Sequence, residues 1–143
     1  MAEANETFMH RWFEEVWNQK NEKAIDEMCD ENVIANGLTD PEGNTVQGVE
    51  AYKNLFRTFV SAYPDIKITV DDTVCEGDKI VARCTVSATH AGEGLGVAPA
   101  NQPVEFSGIT IVRLKDGKIV EAWNEFDFMK MYSQLGAVSL NLQ

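Results

Sequence analysis

The sequence predicts an α+β fold, with helices gathered in the first half of the chain and antiparallel strands in the second. Three observations lead there. Before Pro64 the apolar residues recur at helical spacing. After it, β-branched residues alternate with polar ones. Two tight-turn signals, Glu76-Gly-Asp-Lys79 and Lys115-Asp-Gly-Lys118, divide that second half into hairpins. Segregated helices and strands pack as helices against one face of a sheet. A long meander covered on one face can curve into a cone around a cavity.

Residues 5–18 read as an amphipathic helix. Phe8, Trp12 and Val16 form one row at i,i+4 spacing, Met9, Phe13 and Trp17 lie beside it, and Asn5 is the expected N-cap. A short second helix follows Asn21, with Ala24, Ile25 and Met28 inward. A brief strand is expected over 32–36, stopped by Gly37, and 40–45 reads as a turn. A third helix runs from about Val49 to Ala62, with Tyr52, Leu55, Phe56 and Phe59 on its apolar face, until Pro64 ends it. Strands follow at 66–70, 80–90, 104–114 and 119–127, then a last helical turn or two over 128–135 with Gly136 as its cap. The glycine-rich stretch 91–103 is a loop inside the domain. No repeat or linker interrupts the chain, so residues 1–143 form one domain.

A chain of 143 residues buries a core without staples. Its formal charge of −11, with lysines and arginines scattered, argues against nucleic acid and against anionic membrane as partners. The expected partner is a neutral or weakly acidic, largely apolar small molecule. Cys29, Cys75 and Cys84, without a CxxC pair, read as thiols of a reducing cytosol. The start, Met1-Ala-Glu-Ala-Asn-Glu, lacks the apolar segment of a signal peptide. No apolar run approaches the ~20 residues of a membrane span. A cytoplasmic location is therefore expected. His10 and His90 show neither HxH nor HxxxH spacing, so no metal site is expected. There is no P-loop and no nucleophile elbow, and no helix opens after the Gly92-Glu-Gly-Leu-Gly96 run.

The strand after Asp116-Gly117 carries the chemistry. Alternation sends Ile119, Glu121, Trp123, Glu125 and Asp127 to one face, and Val120, Ala122, Asn124 and Phe126 to the other. An aromatic ring followed by two carboxylates is what a pocket with acid–base chemistry needs. In an apolar pocket Asp127 would have its pKa raised by desolvation and serve as a general base. The same position suits a cap for the helix beginning at Phe128. Glu125, roughly 6–7 Å away along the strand, could be held protonated and donate to an enolate. Alternatively it is a surface residue near the sheet edge, or it pairs with Arg113 on the neighbouring strand. His90, at a strand end beside the loop, could polarise a carbonyl, orient Asp127, or bond loop backbone. Trp12, Trp17 and Trp123 read as core or pocket wall, which in a cone are one surface. Phe56 joins them, Asn36 and Tyr52 are placed at the mouth, and Arg113 pairs with an acid or contacts the substrate.

Several segments resemble a known family. They are Ala88-Thr-His-Ala-Gly92 with Gly96-Val-Ala-Pro99, then Phe106-Ser-Gly-Ile-Thr-Ile-Val-Arg113, then Asp116-Gly-Lys-Ile-Val-Glu-Ala-Trp123…Asp127…Gln134-Leu-Gly136. Trp12-Phe13…Trp17-Asn18 and Gly48-Val-Glu-Ala-Tyr-Lys53 add to the likeness. Together they resemble the SnoaL-like polyketide cyclases, within the nuclear-transport-factor-2-like superfamily. The resemblance implies three N-terminal helices on a highly curved, mostly antiparallel sheet enclosing a pocket, often in a homodimer. It implies that an aspartate removes an acidic proton, after which the enolate closes a ring by intramolecular aldol addition, with no metal or organic cofactor. The matching positions are Asp127 and His90. Two departures stand out: Pro99-Ala-Asn-Gln where the family often has Pro-Thr-Gly, and Asn124 where an acid often follows the tryptophan. Other expectations on this fold are a non-enzymatic ligand-binding or dimerisation module, and an epoxide hydrolase built on Asp127 and Arg113.

Overall fold

A computed structural model describes residues 2–138. Helix α1 (Ala2–Trp12) continues into a π-helical stretch (Phe13–Asn18), followed by α2 (Glu22–Met28), β1 (Cys29–Thr39), β2 (Thr45–Gln47) and α3 (Val49–Ala62). Then come β3 (Lys67–Glu76), β4 (Lys79–His90), β5 (Gln102–Lys115), β6 (Lys118–Phe126) and α4 (Phe128–Gln134). The six strands form one curved, unclosed sheet in the order β2-β1-β6-β5-β4-β3. All neighbours are antiparallel except β1 and β6, which run parallel. Among the described residues no helix is long and apolar enough to cross a membrane.

The helices cover the concave face. Phe8, Met9, Trp12, Phe13, Val16 and Trp17 are all buried, as their two-row spacing requires. The helix starts at Ala2, so Asn5 lies inside it rather than capping it; the preceding alanines are good helix formers. At the other end Asn18 ties the helix to β3. Its side chain donates to the Ile68 carbonyl at 2.9 Å and accepts from the Ile68 amide at 2.7 Å, occupying both backbone groups as a paired strand would. Asn21 caps α2 by accepting from the Lys23 amide, and Ala24, Ile25 and Met28 are buried.

Three features depart from the sequence reading. Strand β1 does not stop at Gly37 but continues through it to Thr39, with Gly37 at φ +85°. A Cβ there would collide with the Asn124 carbonyl, so glycine is what lets β1 lie against β6. Strand β2, three residues long with only Val46 buried, is too short to show periodicity. The register between β5 and β6 slips beside Val120, where Arg113 faces Glu121 but Leu114 faces Ile119. Ile119 and Ala122 are therefore both buried although they are three residues apart.

An apolar funnel as the candidate site

Alternation along β4, β5 and β6 decides which side chains reach the concave face. Val86 pairs with Phe106 in register, and Thr110 pairs with Asn124. These side chains, with Trp12 and Trp17 from the first helix, wall a deep cavity of about 60 Å³. Among the described residues no Asp, Glu, Lys, Arg, His or Cys lines it. The cavity shares Leu38, Leu55, Phe59 and Phe128 with a wider bowl of about 920 Å³ formed by the 37–42 segment, α3, Gly94-Leu95 and α4. The two together make a funnel with an apolar neck.

Its walls are aromatic and interlocked. The Trp12 and Tyr52 rings lie 5.6 Å apart, and Trp17 packs 5.2 Å from Phe56. Burial pushes the Tyr52 phenol up from its ordinary value, the neighbouring Cys29 adds to this, and a bond from Trp17 offsets part of it. At the inner end the buried Thr110 hydroxyl donates to Asn124 Oδ1 at 3.1 Å, while Asn124 Nδ2 donates to the Asn36 carbonyl at 3.0 Å.

Of the expected site residues, Trp12, Trp17 and Tyr52 line the funnel, and Phe56 packs behind Trp17. The others lie elsewhere. Trp123 is on the outer face of the sheet, with the Lys79 ammonium 5.8 Å from its ring. Arg113 is also outside, 3.5 Å from Glu121 rather than paired to Glu125. Glu125 is exposed on that same face. Asn36 turns its side chain away from the cavity, donating to Glu121 at 3.0 Å and to the Ala122 carbonyl at 3.1 Å.

Asp127 is exposed and caps α4, accepting from the Lys130 amide at 2.9 Å. His90 is buried edge-on against Tyr63, with rings 5.7 Å apart, and its Nε2 has no hydrogen-bond partner among the described residues. The structure therefore does not bring Asp127, Glu125 and His90 together around a cavity, and it does not join Asp127 to Arg113. Among the described residues no group of three or more His, Cys, Asp or Glu side chains could hold a metal ion.

The residues missed were Thr110 and Asn124. The alternation of β6 already grouped Asn124 with Ala122 and Phe126; what misled was the pair of carboxylates beside Trp123, which drew the expected site to the other face. The irregularity beside Val120 moves only Ile119 from that face to the core.

Comparison with known proteins agrees with this fold. The profile of the family described as SnoaL-like polyketide cyclase matches residues 7–135. The fold is similar to that of a provisionally named SnoaL-like polyketide cyclase from Jannaschia sp. CCS1, with TM-score 0.83 and 21% identity over 95% of this chain and 94% of that one. It is similar to AclR from Streptomyces galilaeus, provisionally described as a hydroxylase, with TM-score 0.83 and 26% identity over 100% of this chain and 91% of that one. It is also similar to IdmH from Streptomyces antibioticus, provisionally described as a polyketide cyclase, with TM-score 0.79 and 28% identity over 92% and 98%. No curated protein matches the sequence.

Proposed function

The chain belongs to the SnoaL-like polyketide cyclase family, and from that premise we propose that it takes a flat, largely apolar small molecule of polyketide type into the funnel. One observation carries this reading: a cavity walled by aromatic side chains, with no charged group in its lining among the described residues, opens into a bowl large enough for several rings. The inner part receives one edge of the ligand. The bowl holds the rest.

Isothermal titration with a planar aromatic ketone such as fluorenone tests it. Binding should be measurable, and Leu38→Trp, which fills the neck, should weaken it at least tenfold while the circular dichroism spectrum stays unchanged. Binding that ignores Leu38→Trp, or no binding at all, would overturn the reading.

The reaction proposed for the bound molecule is ring closure or isomerisation next to a carbonyl, with Asp127 as candidate base. Phe126 and Phe128, on either side of Asp127, both line the funnel. The carboxylate would reach the mouth by leaving the Lys130 amide. A second reading, a binding module without turnover, is favoured by the absence, among the described residues, of any carboxylate from the lining of the inner cavity. Asp127→Asn separates the two, because asparagine caps nearly as well as aspartate. Catalysis by Asp127 requires the variant to fold and bind but lose turnover. A binding module requires variant and parent to bind alike and neither to convert the ligand.

A further inference from the structure

We propose that the inner end of the funnel is a hydrogen-bond donor of fixed direction, which receives the carbonyl oxygen of a ketone or quinone. This rests on the ligand-binding reading above and deepens it. The donor is Asn124 Nδ2, and the Asn36 backbone fixes its direction. Exchanging the oxygen and nitrogen of the Asn124 amide would set Oδ1 against the Asn36 carbonyl, 3.0 Å away, with no hydrogen between two acceptors. The flipped amide is thus closed off. Nδ2 carries two hydrogens and the Asn36 carbonyl takes one. The second has no protein acceptor among the described residues, and Asn124 is part of the funnel wall. Thr110 spends its one proton on Asn124 Oδ1. What this end offers a ligand is an N–H.

The Asn36 carbonyl is itself held in place. The Asn36 side chain grips the outer face of β6 through Glu121 and the Ala122 carbonyl, and Arg113 lies against Glu121. Gly37 next to it admits the close approach of β1 to Asn124. Asn36 is therefore a positioning residue: it reaches the ligand only through Asn124.

The experiment compares fluorenone with fluorene, the same frame without the carbonyl, by calorimetry and by infrared difference spectroscopy of ¹³C-carbonyl fluorenone. In the parent protein the bound carbonyl band should lie below its position in dry hydrocarbon. Asn124→Leu should weaken fluorenone roughly three- to tenfold, the loss of one hydrogen bond, and leave fluorene as tight or tighter. Asn36→Leu should move the band back toward its hydrocarbon position without changing fluorene binding. If Asn124→Leu does not fold, the band in the parent protein decides alone. Both ligands bound with an unshifted carbonyl would overturn the fixed donor and leave the ligand-binding reading standing. Neither ligand bound would overturn both.

Discussion

Asp127 has a structural use that its sequence position already permitted, since its carboxylate accepts from the Lys130 amide at the start of α4. Asp127→Ala should cost about 1 kcal/mol in urea unfolding, and Asp127→Asn only a few tenths. Equal losses from the two would contradict the capping role. His90 makes the opposite case. It is buried, yet its Nε2 and the neighbouring Tyr63 hydroxyl both lack hydrogen-bond partners among the described residues. A buried polar atom without a partner costs free energy. His90→Phe, which keeps a ring against Tyr63, should therefore leave the melting temperature unchanged or raise it. A clear fall in the melting temperature would show that the imidazole has a polar role.

At the scale of elements, the junction of the first helix with β3 depends on one side chain. Asn18 satisfies both backbone groups of Ile68. Asn18→Ala should destabilise by about 1–3 kcal/mol, the cost of leaving such groups without partners, and should loosen the wall at Trp17. Amide exchange at Ile68 is the direct readout, and unchanged protection there would refute it. Long elements with a strong period were legible in the sequence: α3 spans Val49–Ala62 as its apolar face predicts, and the Glu76–Lys79 and Lys115–Lys118 turns join the strands expected. The parallel pairing of β1 with β6 was not legible, because only tertiary approach through Gly37 creates it. The inner face of β6 was misassigned on residue type. Alternation separated Ala122, Asn124 and Phe126 from Glu121, Trp123 and Glu125 as the structure does, and the extra residue beside Val120 changes only the side of Ile119. The carboxylates beside Trp123 drew the expected site to the outer face and away from Asn124.

The whole molecule combines an acidic surface with thiols sealed in its core. Burial pushes the Cys29 and Cys84 thiols from an ordinary 9.0 up to about 12, and the Tyr63 phenol from 10.0 up to about 12. In the unfolded chain these groups ionise near their ordinary values. Their contribution to stability is therefore complete below about pH 9 and is lost as pH rises toward about 12. The urea midpoint should fall progressively above pH 9, and Cys84→Ala should flatten that fall; a midpoint constant to pH 11 would contradict it. On the acid side, hydrogen bonds from Asn18 hold Glu14 below its ordinary value, and Arg57 does the same for Glu22. Their contribution is present above the ordinary carboxylate range and is lost as pH falls through it.

All of this surrounds one apolar funnel, and its occupancy is the central claim. The most direct measurement is a crystal structure of the protein grown with saturating fluorenone. The account predicts a planar density between the tryptophans of the first helix and the β5–β6 wall, with the carbonyl oxygen within hydrogen-bond distance of Asn124 Nδ2. An empty funnel, or a ligand held only on the outer face beside Trp123, would contradict it.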